Sequence, residues 1–253
     1  MILDRFSLEG KCALVTGSSR GLGAAIAVAL AEAGAHVAVH GSSAAPEATQ
    51  RKVEAAGARA VALVGDVGVT EVCARLVEET VQHLGTIDIL VNNAGIIRRA
   101  PAVEYSDEDW KALIDVNLSS VFRLTQHAGR HMLRQGSGKI INIASLLTFQ
   151  GGILVPAYAA AKGGVGQLTK AFANEWASKG INVNAIAPGY MDTDNTEALR
   201  NNPERARQIL ERIPAGRWGQ PNDLAGAAVF LASSASDYIH GHVLVVDGGW
   251  LNR

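Results

Sequence analysis

Short, nearly unbroken apolar runs recur along the chain: Cys12–Gly17 (CALVTG), His36–His40 (HVAVH), Ala60–Asp66 (AVALVGD), Ile87–Gly95 (IDILVNNAG), Lys139–Ser145 (KIINIAS), Ile181–Gly189 (INVNAIAPG) and His242–Gly249 (HVLVVDGG). Each ends in glycine or in polar turn residues. Between them lie longer segments with helical spacing of apolar positions, among them Ala24–Ala33, Glu71–His83, Asp107–Gln135 and Ala157–Lys179. A strand that is apolar throughout, rather than alternating, is buried on both faces, and helices must supply the cover. The pattern therefore predicts an α/β fold. Right-handed crossovers make it a doubly wound (Rossmann) arrangement, a mostly parallel seven-stranded sheet with helices on both faces. No linker, repeat or low-complexity tract interrupts the pattern, so residues 1–253 read as one domain. The most polar stretch, Asp192–Arg212, follows the sixth run and carries many charges. That placement predicts a substrate lid at about 190–213, over the strand C-termini.

Composition narrows the class. Apolar residues make up 48% of the chain and charged ones 19%, with a net charge of −1. No basic run points to nucleic acid or a membrane surface. The stretch from Gly21 to Val39 is apolar but broken by Glu32, Gly34 and His36, too interrupted for a membrane span. The opening MILDRFSLEGK mixes acids with apolar residues, unlike a signal peptide. Cys12 and Cys73 fall in a strand run and a helix run, as two buried thiols of a reducing compartment would. The expected location is the cytoplasm. His127 with His131, and His240 with His242, form pairs without a third ligand at zinc-like spacing, so no metal is expected.

Two motifs carry chemistry. TGSSRGLG follows the first strand and opens a helix, with Gly17, Gly21 and Gly23 spaced G-x3-G-x-G. Such glycines let the backbone turn tightly and approach a pyrophosphate at a helix N-terminus. In PAYAAAKGG, Tyr158 and Lys162 stand four residues apart, on one helix face. A free phenol holds its proton too tightly to act as a base near neutrality. An ammonium one turn away stabilises the phenolate, and the small residues around the pair leave room for ligands to approach. Reduction of a ketone needs a proton delivered to the developing alkoxide, and oxidation needs it withdrawn. Ser145, at the end of the fifth run, is placed to hydrogen-bond the substrate oxygen.

TGSSRGLG, NNAG (Asn92–Gly95), Asn117 in DVNLSSV, Ser145 in NIAS, YAAAK and the Pro188–Gly189 pair, in this order, resemble the short-chain dehydrogenase/reductases over essentially the whole chain. The resemblance implies a catalytic set of Asn117, Ser145, Tyr158 and Lys162. Lys162 would also hold the nicotinamide ribose, and Asn117 would serve a water relay to it. It implies a dinucleotide held by Gly17, Ser19, Arg20, Gly21, Leu22, Gly23, Ser42, Asp66, Val67, Asn93, Ala94, Gly95, Pro188, Gly189 and Thr193, besides Tyr158 and Lys162. A homotetramer is implied as well. The stretches NNAGIIRR, INIASLLTFQGG, NVNAIAPGYM and RIPAGRWG are similar to the branch acting on sugar acids of the 2-dehydro-3-deoxy-gluconate type. Gluconate 5-dehydrogenases and 3-oxoacyl-carrier-protein reductases share much of this and remain alternatives. A dinucleotide-binding sensor is the non-enzymatic alternative, and it has no chemical need for an intact Ser145, Tyr158 and Lys162.

Two finer expectations follow from local residues. NAD-binding folds of this kind usually end the second strand with an acid that binds the adenosine 2′-OH. Here His40, Gly41, Ser42 and Ser43 fill that region, and Arg20 sits in the glycine-rich turn. The expectation leans to NADP(H) over NAD(H), since a guanidinium pairs well with a phosphate. Arg98 and Arg99 follow the fourth run, where a carboxylate could be gripped, with one arginine reaching a sugar acid and the other solvated or bridging subunits. Gln150 is placed as a hydroxyl partner and Tyr190 as a pocket wall; Ser145 and Tyr158 complete the expected substrate contacts.

Overall fold

The computed structural model describes residues 1–253. Its seven apolar runs form one sheet: β1 (Cys12–Val15), β2 (His36–Gly41), β3 (Ala60–Val64), β4 (Ile89–Asn92), β5 (Gly138–Ile143), β6 (Ile181–Pro188) and β7 (Val243–Val246). The order is β3-β2-β1-β4-β5-β6-β7, and every pairing is parallel. The chain winds outward to β3, then crosses back to β4, so the order reverses between β1 and β4. In such a sheet the crevice above the strand C-termini at that reversal receives the ligand.

Side chains alternate across the sheet, and each face has its own core. Ala13, Val15, Ile89 and Val91 pack with Ile26 and Leu30 of α1 (Gly21–Glu32), Val53 of α2 (Glu47–Ala55) and Leu231 of α9 (Ala225–Ala232). Cys12, Leu14 and Leu90 face the other way. They meet Leu76 and Val77 of α3 (Thr70–Leu84), Leu124 and Met132 of α5 (Ser120–Gln135) and Trp176 of α6 (Pro156–Trp176). All of these are buried, which is why the strands read as unbroken apolar runs. Cys12 and Cys73 are both buried free thiols.

One helix departs from expectation. The segment read as one helix over Asp107–Gln135 divides into α4 (Asp107–Ile114) and α5, joined by a wider π turn over Asp115–Ser119. Apolar spacing does not register one extra residue in a turn, and such bulges gather at functional sites. α6 starts with Pro156 in its first turn, where a missing N–H costs nothing. The polar stretch after β6 is also largely helical, with a short 3-10 turn at Asp194–Thr196, then α7 (Glu197–Arg200) and α8 (Pro203–Arg212). No helix is long and apolar enough to cross a membrane.

Candidate active site

At the reversal point lies a cleft of ≈ 910 Å³, lined by the glycine-rich turn, the ends of β2 to β6 and the segment after β6. The turn is shaped by close approaches. Gly17 has φ +63, and a Cβ there would lie 2.8 Å from the Ala94 Cα. On Gly23 a Cβ would lie within 2.4 Å of the Gly17 carbonyl oxygen and of Asn93 Nδ2, so only hydrogen fits. Thr16 ties the turn to β4, its hydroxyl accepting from the Asn93 and Ala94 amides at 3.0 and 3.1 Å. The Asn93 side chain in turn donates to the Thr16 and Gly17 carbonyls, both at 2.9 Å. Asn93 therefore spends its amide on fastening the turn.

Helix α1 starts at this turn with no side-chain cap and no acid in its first turn. Its orphan amides and the positive end of its dipole stay open to the cleft, the donor set an anionic pyrophosphate requires. A nicotinamide dinucleotide therefore fits the residues present. Ser19, Arg20, Gly21, Leu22, Ser42, Asp66, Val67, Ala94, Gly95, Pro188, Gly189 and Thr193 all line the same cleft. Asp66 also closes a local turn, accepting from the Gly68 amide at 2.9 Å. His40, read in the sequence only as the absence of an acid, has a definite position. Its Nδ1 accepts from the Gly17 amide at 3.0 Å while Nε2 meets the Gly65 carbonyl at 2.8 Å. Burial pushes its pKa below the usual histidine value, so the ring is neutral and Nε2 carries the proton. Nothing in the sequence reveals this contact, because its two ends are 23 residues apart.

Ser145, Tyr158 and Lys162 meet at the inner end of the cleft. Ser145 follows β5 in extended conformation and caps a short 3-10 turn, its hydroxyl accepting from the Leu147 amide at 3.2 Å and standing as the hydrogen-bonding neighbour that offsets part of the rise in the Tyr158 pKa. Burial pushes the phenol above its ordinary pKa; the Ser145 hydrogen bond and the positive charge of Arg99 pull it back part of the way. Lys162 is buried, donates to the Ile143 carbonyl at 2.5 Å and lies 5.6 Å from the centre of the Tyr158 ring. Burial lowers its pKa to about 8. Arg99, which the sequence reading placed only at the substrate, therefore adds its positive charge at the phenol. One helical turn sets the ammonium over the ring face and against a backbone carbonyl. Asn117 is fully buried in the π turn, its side chain accepting from the Ile96 amide and donating to the Ile96 carbonyl, each at 2.8 Å.

The small residues of α6 also take a different meaning. A Cβ on Gly164 would meet Leu118 at 2.9 Å, and one on Gly166 would meet Thr148 at 2.5 Å. Ala157 and Ala161 pack against Leu113. These positions are small because α6 packs closely on its neighbours, and ligand access explains only the face that holds Tyr158 and Lys162.

The consecutive arginines diverge, as expected. Arg98 lines the cleft but pairs with Asp109, Nε to Oδ1 at 3.4 Å. Arg99 lies outside the cleft wall, meets no carboxylate and donates to the Asn195 carbonyl at 3.0 Å, with its charge felt by Tyr158. Tyr190 is not a wall of the cleft: its ring packs 4.5 Å from Trp250 and 5.7 Å from Trp218, centre to centre, under α8. Gln150 is likewise set back from the cleft walls, on the loop before α6. Met191, Asp194, Asn195 and Thr196 line the cleft without having been singled out in the sequence. Their approach depends on how the segment after β6 folds back. No group of three or more His, Cys, Asp or Glu side chains is arranged to hold a metal.

A family profile described as enoyl-(acyl carrier protein) reductase matches residues 17–251. The chain is 54% identical to the 2-dehydro-3-deoxy-D-gluconate 5-dehydrogenase of Dickeya dadantii, over 100% of both chains. It is 56% identical to the protein of the same name from Bacillus subtilis, over 99% of this chain and 98% of that one. A crystal structure of a gluconate 5-dehydrogenase from Burkholderia cenocepacia, in complex with NADP and tartrate, superposes with a TM-score of 0.94 at 43% identity, covering 100% of each chain.

Proposed function

The chain belongs to the short-chain dehydrogenase/reductases, nicotinamide-dependent oxidoreductases that act on CH–OH groups, and on that premise we propose that its substrate is a sugar acid of the 2-dehydro-3-deoxy-gluconate type. The reading rests first on the relatives at more than half identity, sugar-acid dehydrogenases by name. The Arg99 guanidinium, which meets no carboxylate and whose charge reaches the Tyr158 phenol, supports it. A cation whose charge reaches the reacting phenol suits an acid with its carboxylate near the carbonyl, and is out of place for an acyl thioester.

When bound, the dinucleotide supplies or accepts the hydride. The chain's residues do the rest. The substrate oxygen sits between the Ser145 hydroxyl and the Tyr158 phenol. In reduction Tyr158 gives its proton to the developing alkoxide; in oxidation the phenolate takes it back. A phenol held above its usual pKa is fully protonated at neutrality and ready to donate. Lys162 holds the ribose and presents its charge to the phenol's ring, while Asn117 keeps the Ile96 backbone fixed beside them. Arg99 pairs with the substrate carboxylate, and residues 190–213 fold over the bound ligands as a lid.

The dinucleotide reading is coarser than the choice of form. NADP(H) is favoured over NAD(H) because the end of β2 offers Ser42 and Ser43 without a carboxylate and because Arg20 lines the same cleft. A homotetramer is the proposed assembly. In its support, a shallow apolar hollow lies between α5 and α6 at Leu118, Phe122, Leu168 and Ala171, and Phe122 is exposed there. Two buried free thiols suit a cytoplasmic setting.

The test is Tyr158→Phe, assayed on a panel of keto- and hydroxy-sugar acids. Turnover falls by about 10²–10⁴-fold or more, as for loss of a general acid, while dinucleotide affinity stays within about twofold. Activity within a few-fold of the parent would sink the assignment.

A further inference from the structure

The first turn of the lid is held by both arginines that the proposed function assigns to ligand anions. Arg99 donates to the Asn195 carbonyl at 3.0 Å. Arg20, at the start of α1, pairs through Nε with Asp194 Oδ2 at 2.5 Å. Arg20, from the glycine-rich turn, and Asp194, from the segment after β6, both line the cleft, and both side chains remain largely exposed. The root of the lid is anchored independently. Arg200 pairs with Asp192 at 2.8 Å and donates to the Thr193 carbonyl at 3.1 Å, and Met191 bridges to Gly219. Asp194 is therefore delivered to Arg20 by a root that does not depend on Arg20.

We propose that Asp194 is a specificity-determining residue for the dinucleotide, its carboxylate competing with an adenosine 2′-phosphate for Arg20. The inference rests on the reading of Arg20 as the phosphate partner. A guanidinium grips a phosphate most firmly through two parallel donors. Asp194 already occupies the Nε side, leaving less of the fork for a second anion. A phosphate of nearly two negative charges must also approach a carboxylate a few ångströms away. Both effects oppose NADP(H), and neither touches NAD(H), which has a hydroxyl at that position. Asp194 thus narrows the gap between the two forms. In the ligand-free protein the same pair fastens the lid to the glycine-rich turn.

Four proteins decide the matter: the parent, Arg20→Ala, Asp194→Asn and the double variant, each as the full chain. In equilibrium fluorescence titrations Asp194→Asn tightens NADPH by about 3- to 10-fold at low salt and less at high salt, as for an exposed ionic contact. NADH stays within about twofold. In the Arg20→Ala background the Asp194→Asn gain disappears. Without dinucleotide, hydrogen exchange of residues 190–213 rises in either single variant and rises no further in the double. Asp194→Asn overturns the inference if it weakens NADPH, shifts NADPH and NADH equally, or leaves both unchanged. Additive lid exchange in the double variant overturns the fastening. If Arg20→Ala leaves NADPH affinity intact, the phosphate reading of Arg20 fails and takes the inference with it. If Arg20→Ala weakens NADPH while Asp194→Asn is silent, only the inference fails.

Discussion

At the scale of the residue, the site concentrates charge where burial penalises it. Lys162 titrates near 10.5 in the unfolded chain and at about 8 in the fold. Between those values the unfolded chain binds more protons, so the penalty is complete below about pH 8 and fades as pH rises toward 10.5. Lys162→Met, which removes the ammonium, should raise the melting temperature at pH 7 by roughly 3–8 °C, with the gain shrinking toward zero by about pH 10. Turnover of the same variant collapses. Melts at the two pH values check this, and an equal gain at both would refute it. The arginines separate in the same way. Arg99→Ala should lower kcat/KM on sugar acids by about 10- to 100-fold and spare neutral ketones of similar size. Arg98→Ala, which loses an exposed ion pair with Asp109, should cost about threefold or less. Steady-state kinetics on paired acid and neutral substrates distinguish them, and equal losses on both substrates would exclude carboxylate recognition.

At the scale of the element, α6 joins chemistry to packing. It carries Tyr158 and Lys162 on one face and glycines on others, and those glycines are not equivalent. A Cβ on Gly163 would meet nothing within 4 Å, whereas one on Gly166 would press on Thr148, whose hydroxyl donates to the Lys162 carbonyl at 3.0 Å. Gly163→Ala should therefore stabilise the chain by about 0.5–1 kcal/mol, from helix propensity alone. Gly166→Ala should destabilise it by about 1–3 kcal/mol through overpacking and should disturb turnover as well. Urea titrations give both signs, and two changes of like sign would contradict the packing account.

At the scale of the whole molecule, the cleft gathers residues from both halves of the sheet, so filling it stabilises the fold. A ligand at about 100 times its dissociation constant adds about 2.7 kcal/mol. At equal concentration NADPH should raise the melting temperature more than NADH does; a larger shift with NADH would reverse the proposed preference. The sheet itself was legible in the sequence, since a strand covered on both faces must be apolar throughout, and all seven runs became strands. Tyr158, Lys162 and Ser145 were legible for a related reason. Helical spacing puts two of them on one face, and the strand's end puts the third at the sheet's C-terminal edge. What tertiary structure decided lay between residues far apart in the chain: His40 against Gly17, the charge of Arg99 at the phenol, Tyr190 turned to Trp250, and Asp194 carried to Arg20. Periodicity reports whether a side chain faces the core or the solvent. It holds no information on which distant group meets that side chain, because those meetings are set by the crossovers and by the way the segment after β6 folds back over the cleft.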